Sequence, residues 1–101
     1  MYLKIYLILS FLLFFDFSLC LTQREALEDI YNGMNGKNWE NNNNWLNSSI
    51  DYCEWYGVFC DSNQDVIKIE LDNNNLNQSI PDSISSLIYL TNISLSGNSI
   101  R

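Results

Sequence analysis

The chain has 101 residues, enough for one small domain, and its formal net charge is −7 with no histidine. A nucleic-acid-binding protein needs a basic surface, so this charge balance excludes that class of partner. It also argues against docking on anionic lipid headgroups. The acidic residues are spread along the chain, which indicates solubility and not a specific acidic site.

The first twenty residues are typical of a secretory signal peptide. Lys4 supplies the positive start, residues 5–15 form an apolar run with one polar interruption, and Ser18 and Cys20 occupy the −3 and −1 positions of a cleavage site. The run is shorter than the roughly twenty residues that span a membrane, although an uncleaved signal anchor is the alternative. Membrane attachment would require that anchor or a missing downstream segment. We therefore predict a secreted protein, or one on the extracellular face of the cell surface.

Three cysteines are an awkward number in a secreted chain. Cleavage after Cys20 removes one and leaves Cys53 and Cys60, which an oxidising compartment is expected to join in a disulfide. Two cysteines without histidine provide too few soft ligands for zinc. The sequence also lacks a G-x-S-x-G nucleophile and a phosphate-binding loop, so we predict no catalytic residue, no metal and no cofactor.

A short amphipathic helix is predicted directly after the signal. Residues 22–25 match a capping box, in which Thr22 serves an early helix amide and Glu25 reaches back to the cap. Gly33 and Gly36 end the helix. The apolar residues at helical spacing form one face: Ala26, Leu27, Ile30, Tyr31 and Met34.

The next segment, 37–52, is rich in asparagine and predicts a solvated loop. Trp39 and Trp45 flank its consecutive asparagines, and each can bury roughly 200 Å². We interpret them as anchors that attach the loop to the domain. Exposed tryptophans that stack on a ligand are the alternative.

One pattern of residues then occurs twice, 24 positions apart. The first copy comprises Val66, Ile69, Leu71, Asn74 and Leu76, and the second comprises Leu90, Ile93, Leu95, Asn98 and Ile100. This pattern, L-x-x-L-x-L-x-x-N-x-L, is the signature of a leucine-rich repeat. The alternating apolar pair predicts a short strand with one buried face, and the asparagine amides are expected to bond buried backbone groups and to stack into a ladder. Between the copies, Ile80, Ile84 and Leu87 are predicted to face inward, and Pro81 fixes a turn.

The segment Cys53-x-Trp55-x-Gly57-Val58-x-Cys60-Asp61 resembles the cysteine and tryptophan core of the N-terminal cap of plant-type leucine-rich repeat proteins. The first repeat resembles the 24-residue plant-type repeat, except that Gln78 stands where this class usually has Gly, which argues against its second short strand. The resemblance implies an α/β solenoid, in which a helical cap with one disulfide precedes a parallel-stranded right-handed coil. It divides the chain into a signal peptide (1–20), a cap (21–65), a first repeat (66–89) and an incomplete second repeat (90–101).

Members of this family are receptor-kinase ectodomains, receptor-like proteins and inhibitors of cell-wall polygalacturonases. The resemblance therefore implies an extracellular, non-catalytic recognition module for a protein or peptide ligand. A small secreted inhibitor of a cell-wall hydrolase is one alternative, and a truncated fragment without activity of its own is another. What carries over by residue is structural: the Cys53–Cys60 bridge, the cap Trp55, and the Asn74 and Asn98 ladder.

The resemblance implies that ligands bind the concave strand positions, which flank the inward-facing apolar pair of each repeat. Two strands offer far less than the roughly 800 Å² per partner of a stable complex, which favours simple solvation of these positions here. Three glycosylation sequons begin at Asn47, Asn77 and Asn92, and Asn47 is the best acceptor because it lies in the loop. The candidate concave residues are Lys68, Glu70, Asp72, Asn92, Ser94 and Ser96.

Overall fold

The computed structural model describes residues 21–101, so the predicted signal peptide lies outside the described residues. This part contains one α-helix, five short strands and three 3₁₀ turns. The helix α1 spans Gln23–Gly33, and the 3₁₀ turns span Gly36–Asn38, Tyr52–Glu54 and Asp82–Ser86. The strands are β1 (Val58–Cys60), β2 (Val66–Glu70), β3 (Asn77–Gln78), β4 (Asn92–Ser94) and β5 (Ser99–Ile100).

The capping box predicted for α1 is confirmed. The Thr22 hydroxyl accepts a hydrogen bond from the Glu25 amide at 3.1 Å, and the Glu25 carboxylate accepts one from the Thr22 amide at 2.9 Å. These bonds satisfy donors that the first helical turn leaves free. The helix buries the predicted apolar face and packs on the 3₁₀ turn Asp82–Ser86.

The asparagine-rich loop is held more firmly than its composition predicts. Trp39 and Trp45 are buried with their rings 5.0 Å apart in an edge-to-face arrangement, which confirms them as anchors. Their indole N–H groups donate to the Met34 carbonyl at 2.9 Å and to the Tyr56 carbonyl at 2.8 Å. The solvated-loop prediction therefore describes the exposed side chains of this segment, whereas its backbone is tied to the cap.

The predicted Cys53–Cys60 disulfide is present, with Cα atoms 5.6 Å apart. It joins the 3₁₀ turn Tyr52–Glu54 to the end of β1. Between the cysteines, Gly57 has φ +82°, a left-handed conformation in which a side chain is strained. Its carbonyl accepts a 2.7 Å hydrogen bond from the Glu70 amide, so the cap motif is bonded directly to the first repeat.

The main sheet has the order β1-β2-β4. Strand β1 is antiparallel to β2, whereas β2 and β4 are parallel, with Ile69 opposite Ile93 and Glu70 opposite Ser94. This register confirms the 24-residue period of the sequence. Leu71 and Leu95 consequently lie on adjacent turns of the coil, where the Leu71 amide donates to the Ser94 carbonyl at 2.9 Å and Leu95 packs against the common core.

The asparagine side chains bond the backbone of the coil. Asn98 accepts hydrogen bonds from the amides of Asn74 and Leu76, both at 2.9 Å, and donates to the carbonyls of Leu71 and Leu95. Asn74 makes the same kind of contact one turn earlier: it accepts from the Asn41 amide at 2.7 Å and donates to the Asn41 carbonyl at 2.9 Å. The cap loop thus supplies the first rung of the ladder.

The second sheet pairs β3 with β5 in parallel. The departure from Gly at Gln78 does not prevent this short strand, because Gln78 itself adopts the left-handed conformation with φ +73°. The matching of Leu76 with Ile100 in the sequence is not the register of this sheet, since Gln78 lies opposite Ile100. Asn75 and Ser99 occupy equivalent positions of the two repeats. Ser99 already lies in β5, whereas Asn75, with φ +62°, still lies in a turn, so β3 begins two residues later in its repeat than β5 does.

The apolar core is one cluster shared by cap and repeats. Of the three residues predicted to face inward, Leu87 is buried and Ile84 is half-buried, while Ile80 lines an apolar cleft beside the core and is 37% exposed. Ile93 is likewise 40% exposed, because β4 is the last strand of its sheet and only β2 lies beside it. The buried apolar residues are Ala26, Leu27, Ile30, Met34, Trp39, Trp45, Trp55, Val58, Val66, Ile69, Leu71, Leu76 and Leu87.

We expect Asn98→Ala to lower the free energy of unfolding by about 2 to 4 kcal/mol, because two amides and two carbonyls lose their partner in a partly buried site. Equilibrium urea unfolding measures this. Asn63→Ala is the matched control, since Asn63 is exposed and should change stability by less than about 0.5 kcal/mol. Equal effects of the two variants would contradict a structural ladder.

We expect Gly57→Ala to destabilise the protein by about 1 to 3 kcal/mol, because alanine is strained at positive φ. The added Cβ would also lie 2.5 Å from the Glu70 carbonyl oxygen, which forces the cap away from the first repeat. Thermal unfolding followed by far-UV circular dichroism measures the change. A melting temperature equal to that of the wild type would contradict this account.

Candidate binding surface

The outward side of the main sheet carries all six predicted concave residues, and we call it the strand face: Lys68, Glu70, Asp72, Asn92, Ser94 and Ser96. Lys68 lies opposite Asn92, and Glu70 lies opposite Ser94. Alternation along each strand places these residues on the side opposite the inward-facing Ile69 and Ile93. The structure therefore brings the predicted positions of both repeats side by side.

Asp72 is the best-organised residue of the strand face. Both of its carboxylate oxygens lie 2.8 Å from the Ser94 hydroxyl, and one accepts from the Ser96 amide at 2.8 Å. The Ser94 hydrogen bond, together with the Ser96 bonds and the positive charge of Lys68, lowers the pKa of Asp72 below its ordinary value of 3.8 and outweighs the opposing effect of burial.

The strand face continues onto the cap through Phe59, which the sequence analysis did not single out. Phe59 lies opposite Lys68 in the antiparallel pairing and is 44% exposed. The Lys68 ammonium lies 5.2 Å from the centre of the Phe59 ring and 3.7 Å from the Glu70 carboxylate. Alternation in the run Val58-Phe59-Cys60 was the available signal, because a buried Val58 places Phe59 on the outer side.

The three sequon asparagines lie in different environments. Asn47 is exposed in a loop turn, Asn77 is half-buried in β3, and Asn92 is exposed at the start of β4. Trp55, predicted to be structural, is 1% exposed and lies beneath the Arg24 guanidinium, 4.8 Å from the ring centre. It contributes to the core and not to the strand face.

A second concavity of about 650 Å³ lies away from the strand face, beside the start of α1. It is open to solvent and lined in part by Arg24, Tyr52, Ser85 and Tyr89. Burial raises the pKa of Tyr52 above 10.0, and the negative charges of Asp51 and Asp65 add to this. The Tyr52 hydroxyl donates to the Gln64 carbonyl at 2.8 Å, so the ring is held in place and serves as a wall.

Two structural findings bear on the chemistry of residues 21–101. They contain no group of three or more His, Cys, Asp or Glu side chains placed to hold a metal ion. They also contain no helix of the length and apolarity needed to cross a membrane.

Comparison with known proteins gives a matching domain family and several relatives. Residues 20–61 match the family model described as the leucine rich repeat N-terminal domain. The chain is 36% identical over 83 residues to MDIS1-interacting receptor like kinase 1 of Arabidopsis thaliana, covering 82% of this chain and 8% of that protein. It is 38% identical over 61 residues to phytosulfokine receptor 1 of Arabidopsis thaliana, covering 56% of this chain and 6% of the receptor.

A solved structure agrees with the fold. The crystal structure titled PEPR1-AtPEP1 superposes with a TM-score of 0.60 at 20% identity, over 76% of this chain and 11% of that one. The chain thus spans less than a tenth of the two curated relatives. From the cap motif, the paired repeats and these matches, we conclude that the chain belongs to the plant-type leucine-rich repeat proteins and contains their N-terminal cap domain.

Proposed function

We propose that this chain is the N-terminal part of an extracellular, non-catalytic recognition module whose ligand is a protein or peptide. In this proposal the cap spans residues 21–65, the first repeat 66–89 and the start of a second repeat 90–101 of a right-handed solenoid. The observation that carries the proposal is the strand face, a surface of polar side chains on a hydrogen-bonded parallel sheet. Solenoid proteins use such strand surfaces for binding.

The composition of the strand face favours a basic ligand with an apolar group. Glu70 and Asp72 outnumber the single cation Lys68, which is already paired with Glu70, and the whole chain carries a net charge of −7. Phe59 adds an exposed aromatic ring at the cap end of the same surface. Charge complementarity speeds association and excludes like-charged partners, while an aromatic anchor contributes most of the affinity.

The relatives favour a receptor over an inhibitor of a wall hydrolase. One of the curated relatives above is named a receptor like kinase and the other a receptor, and the superposed structure is titled as PEPR1-AtPEP1. We therefore propose that the partner surface extends beyond the two strands described, which alone offer less than the roughly 800 Å² of a stable complex. Sequencing the transcript past the Arg101 codon tests this, because a receptor requires a membrane span downstream and a secreted inhibitor does not.

Selection from a displayed random-peptide library tests the binding proposal. We expect the wild-type chain to enrich peptides rich in Lys and Arg, and we expect Phe59→Ala and the double variant Glu70→Gln/Asp72→Asn each to reduce their capture at least fivefold. Ser85→Ala is the control, because Ser85 lies in the second concavity and not on the strand face. Capture that is reduced equally by Ser85→Ala, or by none of the variants, would refute the strand face as a binding surface.

The Asp72 hydrogen bonds predict a measurable titration. Because its folded pKa is lowered, Asp72 stabilises the fold fully above its ordinary value of 3.8, and this stability is lost as the pH falls through the lowered value. Carbon-detected NMR titration of the Asp72 carboxyl should give a midpoint below 3.8, and Ser94→Ala should move that midpoint upward. A wild-type midpoint at or above 3.8 would contradict the network.

A further inference from the structure

The three sequons differ in the accessibility of the asparagine side chain and in the availability of the serine hydroxyl for N-glycosylation. We propose that Asn47 is the N-glycosylated residue of this chain and that Asn77 and Asn92 are not used. This inference rests on the proposed extracellular function, because N-glycans are added to chains that enter the secretory pathway. The glycan would then lie on the cap and leave the strand face free.

Asn47 lies in a turn formed by its own sequon. Its side-chain oxygen accepts a hydrogen bond from the Ser49 amide at 2.9 Å, which is an Asx turn. Asn47, Ser48 and Ser49 are all exposed, and no described residue accepts a hydrogen bond from the Asn47 side-chain nitrogen Nδ2. The turn therefore brings the sequon serine beside the asparagine side chain while the nitrogen stays open to solvent.

This turn depends on contacts that span only two residues. Asx turns form from the local sequence and compete with regular secondary structure before tertiary packing is complete. The sequon at Asn47 is consequently presented in the same form to an enzyme that acts on the emerging chain and in the folded protein.

The sequon at Asn92 is arranged in the opposite way. It lies in β4, where Asn92 and Ser94 are about 6.6 Å apart along an extended backbone. The Ser94 hydroxyl donates a hydrogen bond to the Asp72 carboxylate at 2.8 Å, so it is not available to the Asn92 side chain. The central residue is the β-branched Ile93, which favours the extended conformation locally as well.

The sequon at Asn77 lies in the half-buried strand β3. Its side-chain oxygen is buried without a hydrogen-bond partner in the described part of the chain, and its backbone amide faces the Met34 carbonyl at 3.5 Å. The next residue, Gln78, holds the left-handed conformation that starts the pairing with β5.

The covalent step needs a lipid-linked oligosaccharyl diphosphate as the donor. The Asn47 side-chain nitrogen forms a bond to the anomeric carbon of the sugar, and the bond from that carbon to the diphosphate oxygen breaks. The lipid diphosphate leaves with the electron pair of the broken bond, and the nitrogen loses one proton to a base of the transferase. No oxidant or reductant is involved.

Translation of the full 101-residue chain in the presence of glycosylation-competent microsomes tests the inference. Protease protection reports entry into the lumen, and a mass shift that is sensitive to peptide-N-glycosidase counts the glycans. We expect one glycan, which is lost in Asn47→Gln and in Ser49→Ala. It should remain in Ser48→Ala, the matched control at the central sequon position, and in Asn77→Gln and Asn92→Gln.

The two readouts separate the site from the location. A protected wild-type chain that carries no glycan, or more than one, overturns the site assignment alone. The same holds if a protected Asn47→Gln chain keeps its glycan. A chain that stays accessible to protease overturns the proposed extracellular location, and the site assignment fails with it.

Discussion

The structure depends on side-chain amides that satisfy the backbone inside each turn of the coil. Where the chain leaves a strand and turns, its amides and carbonyls point into a partly buried space without strand partners. Asn98 provides an acceptor for two amides of the preceding turn and a donor for carbonyls of both turns. An unbonded buried amide or carbonyl costs about 1 to 3 kcal/mol, so these bonds decide whether one turn can stack on the next.

The cap serves the same requirement at the start of the coil. Asn74 needs a preceding rung, and the backbone of Asn41 supplies it from a loop that has no repeat sequence. That loop is in turn positioned by a row of aromatic rings, in which Trp45 lies 5.0 Å from both Trp39 and Trp55. The disulfide joins the 3₁₀ turn Tyr52–Glu54 to β1 within the cap, and the hydrogen bond from the Glu70 amide to the Gly57 carbonyl joins the cap to β2. The asparagine tract is thus a structural element whose exposed side chains conceal a bonded backbone.

The same hydrogen-bonded frame orders the strand face, to which we assign ligand binding in the proposed function. Polar side chains on adjacent strands are held by the register of the sheet, and the Asp72 carboxylate is further fixed by Ser94 and Ser96. Groups that are ordered before binding lose little conformational entropy when a ligand arrives. A glycan on Asn47 would leave that surface clear, since Asn47 contacts α1 through the Arg24 side chain and not the sheet.

The sequence by itself determined the helix cap, the disulfide and the 24-residue period, because each depends on local spacing or on the parity of the cysteines. It also predicted which side chains share the outer side of β2 and β4, since alternation along a strand is a local property. The tertiary structure alone decided the rest. The role of Asn41, the hydrogen bonds at Asp72 and the place of Phe59 beside Lys68 all join residues from separate elements.

The errors have the same origin. The left-handed backbone at Gln78 and the shifted register of β3 and β5 follow from how the two turns stack, which a match of residue types cannot show. Ile80 faces the apolar cleft beside the core, yet its 37% exposure depends on which neighbours reach it. Apolar type and period specify which residues can be buried, whereas contacts between distant segments decide which of them are.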